Sequence, residues 1–176
     1  MNTVFFDIDT QIDFLYPAGA LYVPGAERVV PNIARLNQWA AAHGVKVVST
    51  VDAHSENDPE FRDWPPHCVV GTAGQIKPAA TLAGQIIFGK QTTNVFDAPG
   101  IGTLLEGLEA DRYVVYGVVT EICVAHAARG LLKTGKPVAV VTDAVETLDR
   151  GKAEGFFAEF RAAGGTLTTV AELIGA

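Results

Sequence analysis

Cys123 stands in the first turn of a helix that the sequence predicts to begin near Thr120, just after an apolar run ending at Val119. A thiol placed there has a chemical use. It ionises near pH 8.5 in isolation, and a helix N-terminus or a nearby ammonium lowers that value and yields a sulfur nucleophile. Thr120 suits the capping position of that helix. The competing reading is a small buried hydrophobe, which describes most free cysteines. Lys90 directly follows Ile86-Ile87-Phe88-Gly89, where a lysine either snorkels to solvent or stands in a pocket as a fixed cation. Asp9 follows the apolar run Thr3–Ile8 and is either a general base or a cap for the next loop. Asp52 and His54 lie two apart at the end of another β-rich run, so strand alternation puts both on one side. A carboxylate with an imidazole suits Zn²⁺, Fe²⁺ or Mn²⁺. On residue types alone, a polar loop with surface histidines explains the pair equally well.

The elements that carry these residues alternate. Strands are predicted over Thr3–Ile8, Val45–Val51, Gln85–Phe88, Arg112–Val119, Pro137–Thr142 and Thr166–Val170. Helices are predicted over Gly25–His43, Ile101–Leu108, Glu121–Thr134 and Arg150–Ala163. In the first helix Val29, Ile33, Leu36 and Ala40 recur at helical spacing, Pro31 falls near the first turn, and Gly44 stands just beyond the end. The strands are nearly continuous in apolar or β-branched residues, as strands are when helices cover both faces. Such alternation implies right-handed crossovers and a mostly parallel sheet of about six strands. The expected fold is α/β, a three-layer α/β/α sandwich with a Rossmann-like sheet, in one domain spanning residues 1–176. In such sheets a ligand sits beyond the carboxyl ends of the strands. Those ends carry Asp7, Asp9 and Asp13, then Asp52 and His54, then Lys90, then Thr120, Glu121 and Cys123, then Asp143. The segment from Asp52 to about Pro78 has no regular pattern, and long ordered loops are usually functional.

Composition narrows the functional classes. With 176 residues, 13 basic and 20 acidic side chains, the net charge is −7, and no basic run offers a phosphate-backbone surface. No apolar stretch approaches the roughly 18 residues of a membrane span. The opening Met1-Asn2-Thr3-Val4-Phe5-Phe6-Asp7 lacks a basic leader, and two cysteines outside any C-x-x-C pair suit a reducing cytoplasm. A membrane protein, a small secreted scaffold or a nucleic-acid binder is therefore not expected.

Asp9-Thr10-Gln11-Ile12-Asp13-Phe14 resembles the D-x-Q-x-D-F opening of isochorismatase-like cysteine hydrolases, and Gly117-Val118-Val119-Thr120-Glu121-Ile122-Cys123-Val124 resembles their nucleophile segment. Lys90 falls where that family keeps a lysine. Asp52-Ala53-His54 and Trp64-Pro65-Pro66-His67-Cys68-Val69-Val70-Gly71-Thr72 are similar to the nicotinamidase and pyrazinamidase branch. The likeness runs from about Val4 to Val170. The run Asp7-Ile8-Asp9-Thr10 is also similar to the opening of haloacid-dehalogenase-like phosphatases, with Asp7 as nucleophile, but Gln11 breaks that pattern and no late paired acidic motif follows.

The first resemblance implies a catalytic triad of Asp9, Lys90 and Cys123, with backbone N–H groups of Val119 and Cys123 as oxyanion donors and a cis peptide bond between Val118 and Val119. It implies one divalent transition metal, zinc before iron or manganese, held by Asp52, His54 and His67. Glu60 is the choice for a fourth ligand over Glu56, since no histidine lies between His54 and His67. Phe14 and Trp64 would flank a flat heteroaromatic ring. Phe96 and Asp97 fall near a further pocket position of the branch, where Tyr is frequent, and His126 is read as structural. The implied activity is hydrolysis of nicotinamide to nicotinate and ammonia, in NAD salvage, with pyrazinamide also accepted and a homo-oligomer as the assembly. The alternative is another small amide or carbamoyl compound.

Overall fold

The first apolar run becomes strand β1, Thr3–Ile8, buried from Val4 onward. Around it a computed structural model, which describes residues 1–175, builds helix α1 (Ile12–Leu15), helix α2 (Val30–Ala42) and strand β2 (Lys46–Asp52). Strand β3 (Ile86–Lys90), helix α3 (Ile101–Leu108) and strand β4 (Arg112–Val118) come next. Helix α4 (Ala125–Leu132), strand β5 (Val138–Glu146), helix α5 (Arg150–Ala162), strand β6 (Thr166–Thr168) and helix α6 (Val170–Ile174) complete the chain.

All strand pairings are parallel, in the order β3-β2-β1-β4-β5-β6. The chain thus steps outward from β1 to β3, returns, and steps outward the other way. Right-handed crossovers then put α2 on one face and α3, α4 and α5 on the other. The packing agrees, since α6 joins α2 while α4 rests on α5. The core between the layers is built from Phe5, Phe6, Val114, Tyr116 and Val140 of the sheet, Ile33 and Leu36 of α2, and Leu131 and Phe160 of the other face. The direction of the chain reverses between β1 and β4, and the carboxyl ends of these two neighbours form the crevice such a topology provides. They approach closely there: a Cβ on Gly117 would lie 2.1 Å from the Ile8 carbonyl oxygen. No helix among the described residues is long and apolar enough to cross a membrane.

The departures from expectation have local causes. Helices α1 and α6 span four and five residues, too short for a helical period to show. β6 stops at Thr168 because Thr169 and Glu172 form a capping box that opens α6. β5 continues to Glu146 through a register irregularity against Val115 and Gly117 of β4. Asp143 therefore lies within a strand, where its carboxylate accepts from the Val170 N–H at 2.9 Å, away from the crevice. Asp7 is fully buried. Its carboxylate accepts from Thr10 Oγ1 (2.7 Å), Asn37 Nδ2 (2.9 Å) and Ser49 Oγ (2.9 Å), and it pairs with Lys77 Nζ at 2.9 Å. A carboxylate so enclosed has no room to take a phosphoryl group, which removes the phosphatase alternative.

Candidate active site

Asp9 is the first residue past β1 and turns the chain with φ at 50°, a left-handed conformation that costs a non-glycine residue energy unless its surroundings hold it. Thr50 of β2 holds it. The Asp9 N–H donates to the Thr50 carbonyl at 3.1 Å, and Thr50 Oγ1 donates to Asp9 Oδ1 at 2.6 Å. The second carboxylate oxygen faces Lys90 Nζ at 2.8 Å.

Lys90 ends β3 and is the electrostatic hub. Its ammonium lies 2.8 Å from Asp9 Oδ2, 2.5 Å from Asp52 Oδ1, 3.0 Å from the Thr92 carbonyl and 3.9 Å from Cys123 Sγ. Burial works against its charge, but the surrounding carboxylates and sulfur outweigh that and hold it well above the ordinary lysine value. Asp52 shows the reciprocal effect. Burial pushes its carboxyl up, and Lys90 with the two histidines pulls it well below the usual range.

Cys123 sits in a π-helical turn, Thr120–Val124, where the Val119 carbonyl accepts from both Ile122 and Val124 N–H at 3.1 Å. Single π turns inside helices recur at functional sites. This turn splits the expected helix and changes two expectations. Thr120 does not cap it: its hydroxyl donates to the Glu146 carbonyl at 2.8 Å. The thiol is not lowered at rest either. Burial pushes it well above its ordinary value, with Lys90 opposing and Asp9 adding to the rise through its charge and a side-chain hydrogen bond. Asp9 is itself raised, mainly by burial. Thiol and carboxyl are thus a proton donor and acceptor brought together in a dry site. The Val118–Val119 peptide bond is cis.

Next to this triad, Asp52, His54 and His67 place ligand-type atoms all within 4.8 Å of one another, and all three are buried. Asp52 Oδ2 is 3.8 Å from His54 Nε2 and 3.7 Å from His67 Nε2. His67 Nδ1 lies 2.7 Å from the Pro65 carbonyl, which can only accept, so Nδ1 carries the proton and Nε2 keeps a free lone pair. His54 Nδ1 lies 3.1 Å from Asp58 Oδ2 outside hydrogen-bond geometry, and His54 Nε2 is likewise buried without a hydrogen-bond partner. Two imidazole nitrogens and a carboxylate facing one point, one nitrogen otherwise orphaned, make a donor set that fits zinc, iron or manganese. Glu60 is outside this group of three. It lies in the 3-10 turn Pro59–Arg62 and lines the neighbouring pocket.

That pocket is bounded by Phe14, Leu21, Val23, Trp64, Val119, Ile122 and Leu148, with Asp52, Glu60, His67, Thr93 and Cys123 at its chemical end. Phe14 and Trp64 both line it, and the Phe14 ring lies 5.3 Å from His67, centroid to centroid. Phe96 does not reach it: its ring packs on Gly130 of α4. His126 also lies elsewhere, in a groove with Phe96, Arg129 and Lys133.

Several residues that organise the site were given no role from sequence. Gln11 Nε2 donates to the Asp52 and Gln75 carbonyls at 2.8 and 2.7 Å, and its Oε1 accepts from the Asp52 N–H at 2.7 Å. Asp13 accepts from the Ala20 N–H at 2.8 Å and the Cys68 N–H at 2.7 Å, fixing the backbone beside His67. Gly74 gives Asp13 its room, since a Cβ there would lie 2.1 Å from Asp13 Oδ2. The spacing of two between Asp9, Gln11 and Asp13 was the available signal. Thr50, Asp58 and Phe61, whose ring lies 5.3 Å from that of His54, left none. Gln11→Ala strands the Asp52 N–H in a buried setting, at about 1–3 kcal/mol for an unsatisfied group. We expect a lower urea midpoint with an unchanged m-value.

Comparison with known proteins places this geometry. The family model described as Isochorismatase domain matches residues 3–172. The nicotinamidase of Escherichia coli K12 is 28% identical over 203 aligned residues, covering 94% of this chain and 93% of the relative. The crystal structure of the pyrazinamidase of Pyrococcus horikoshii in complex with zinc superposes with a TM-score of 0.89 at 28% identity, over 96% of this chain and 99% of that one. The N-carbamoylsarcosine amidase of Thermoplasma acidophilum gives 0.85 at 26% identity, over 98% and 99%. A buried Asp-Lys-Cys triad at the carboxyl end of a parallel sheet, in a chain matched almost from end to end, makes this protein a hydrolase of the isochorismatase family.

Proposed function

We propose that the protein is a metal-dependent amidohydrolase that converts nicotinamide to nicotinate and ammonia, accepts pyrazinamide, and serves NAD salvage in the cytoplasm. The observation that carries this choice is the pocket lining, which holds seven apolar or aromatic walls, the carboxylates Asp52 and Glu60, and neither lysine nor arginine. A carbamoylated amino acid would bring its own carboxylate against those acids with no lysine or arginine in the lining to meet it, only the ion that the neutral ring would otherwise use as its anchor. A neutral flat ring with a carboxamide meets apolar walls and the sulfur instead. Phe14 and Trp64 would hold its two faces. A zinc-type ion on Asp52, His54 and His67, with Glu60 beside it, would supply a Lewis-acid anchor for the ring nitrogen and so orient the carboxamide.

In this reading Cys123 passes its proton to Asp9 while Sγ bonds to the amide carbon. The carbonyl electrons move onto oxygen, where the Val119 and Cys123 N–H groups stabilise the charge. As the tetrahedral centre collapses, the C–N bond breaks, Asp9 returns the proton to the departing nitrogen, and ammonia leaves a thioester. Asp9 then takes a proton from water as the water oxygen bonds to the thioester carbon, the C–S bond breaks, Asp9 passes the proton to Sγ, and nicotinate is released with the thiol restored. Lys90 stays charged throughout and keeps Asp9 ionised between turns.

The test is turnover of nicotinamide, pyrazinamide and N-carbamoylsarcosine by the purified protein, followed by ammonia release. Turnover of the two ring amides alone supports the assignment. Turnover of N-carbamoylsarcosine alone overturns it in favour of a carbamoyl substrate. Removing bound metal with a chelator, verified by elemental analysis, is expected to lower kcat/KM for nicotinamide at least tenfold, mainly through KM. Unchanged kinetics would defeat the metal assignment.

A further inference from the structure

Leu148 is a large apolar side chain left 46% exposed, yet its backbone is fastened from several sides. Glu121, two residues before the nucleophile, spends its carboxylate on the loop after β5. Oε1 accepts from the Leu148 N–H at 3.1 Å and the Asp149 N–H at 2.8 Å, and Oε2 accepts from Thr147 Oγ1 at 2.5 Å. Thr120 adds a fourth bond, to the Glu146 carbonyl. A surface leucine needs no such fixation for stability. What the fixation achieves is a constant backbone position for Leu148, whose half-exposed side chain lines the same pocket as Leu21, Val23, Ile122 and Cys123.

We propose that Leu148 is a size-selective gate over Cys123 and that Glu121 is the positioning residue that sets it. The gate admits a flat unsubstituted ring and rejects bulkier amides. Its part in substrate choice rests on the nicotinamide assignment, while its part in access to the sulfur does not. The clamp ties the nucleophile turn directly to the loop that carries Leu148.

The test compares alkylation of Cys123 by iodoacetamide and by a bulky N-aryl iodoacetamide, read by peptide mass mapping, in wild type, Leu148→Ala and Glu121→Gln. Leu148→Ala is expected to raise the bulky-to-small rate ratio at least tenfold, and Glu121→Gln to raise it by a smaller factor with the leucine still present. Cys68, fully buried, reports on global loosening and should stay unreactive. If it reacts in Leu148→Ala, Leu148→Val replaces that variant and is expected to raise the ratio at least threefold. An unchanged ratio in a variant with a silent Cys68 overturns the gate. A second arm measures kcat/KM on nicotinamide and on its ring-methylated and ring-ethylated derivatives. Relative gains on at least one derivative in Leu148→Ala support the gate as a specificity device, and no gain on any overturns that role. If wild type fails on nicotinamide itself, the substrate assignment falls while the alkylation arm still decides the gate.

Discussion

Cys123→Ala is expected to lower kcat for amide hydrolysis by at least about 10⁴-fold, with nicotinate affinity and thermal stability close to those of wild type. Only the sulfur forms the bond that splits the amide hydrolysis into two steps, so nothing replaces it when it is gone. Stability should change little, because the side chain contributes one small group to a lining already partly open to the pocket. The raised thiol sharpens the expectation for Cys123→Ser. Burial pushes both Cys123 and Asp9 upward and Lys90 pulls both down, so proton transfer runs between groups shifted in the same sense. A serine hydroxyl holds its proton far more tightly and has no such match. The serine variant should therefore be nearly as inactive as the alanine variant. Single-turnover ammonia release measures both: activity above about one per cent of wild type in the alanine variant would remove the covalent mechanism, and in the serine variant it would remove the need for a proton match between nucleophile and Asp9.

Why some of this was visible in the sequence and some was not follows from what each residue depends on. Thr3–Ile8 and Ile101–Leu108 appear with the anticipated boundaries because their burial and their periodicity coincide. Asp9, Lys90 and Cys123 were legible because each lies at or just past the carboxyl end of a strand, and a parallel sheet gathers those ends. The state of the thiol was not legible. Spacing shows a helix start and a lysine, whereas the winning effect is desolvation, which depends on everything packed around the sulfur. Asp143, expected just past the fifth strand, lies within it for a related reason: a polar residue in a strand looks like its end until a register irregularity carries the strand past it. The organising contacts of Thr50 and Asp58 join residues from different elements, and neither type nor spacing marks them.

Lys90→Met should be the most damaging single change to stability. Asp9 and Asp52 are 1% and 3% exposed, and Lys90 is the ammonium in contact with both. Methionine fills similar volume but leaves two buried carboxylates facing one another, and breaking a buried ion pair from one side costs about 3–5 kcal/mol. The pH dependence identifies the cause. In the metal-stripped wild type, Asp52 is held well below the ordinary aspartate value, so its contribution to stability is present above the unfolded-state value and is lost as pH falls through the folded one. In Lys90→Met that contribution disappears, and Asp9, already raised by burial, rises further and favours the protonated form. The deficit relative to wild type should therefore be largest near neutral pH and shrink as pH falls through the carboxylate range. Urea melts of both chelated proteins from neutral to mildly acidic pH measure it. A deficit that stays constant with pH would mean that lost packing, and not uncompensated charge, makes Lys90 necessary.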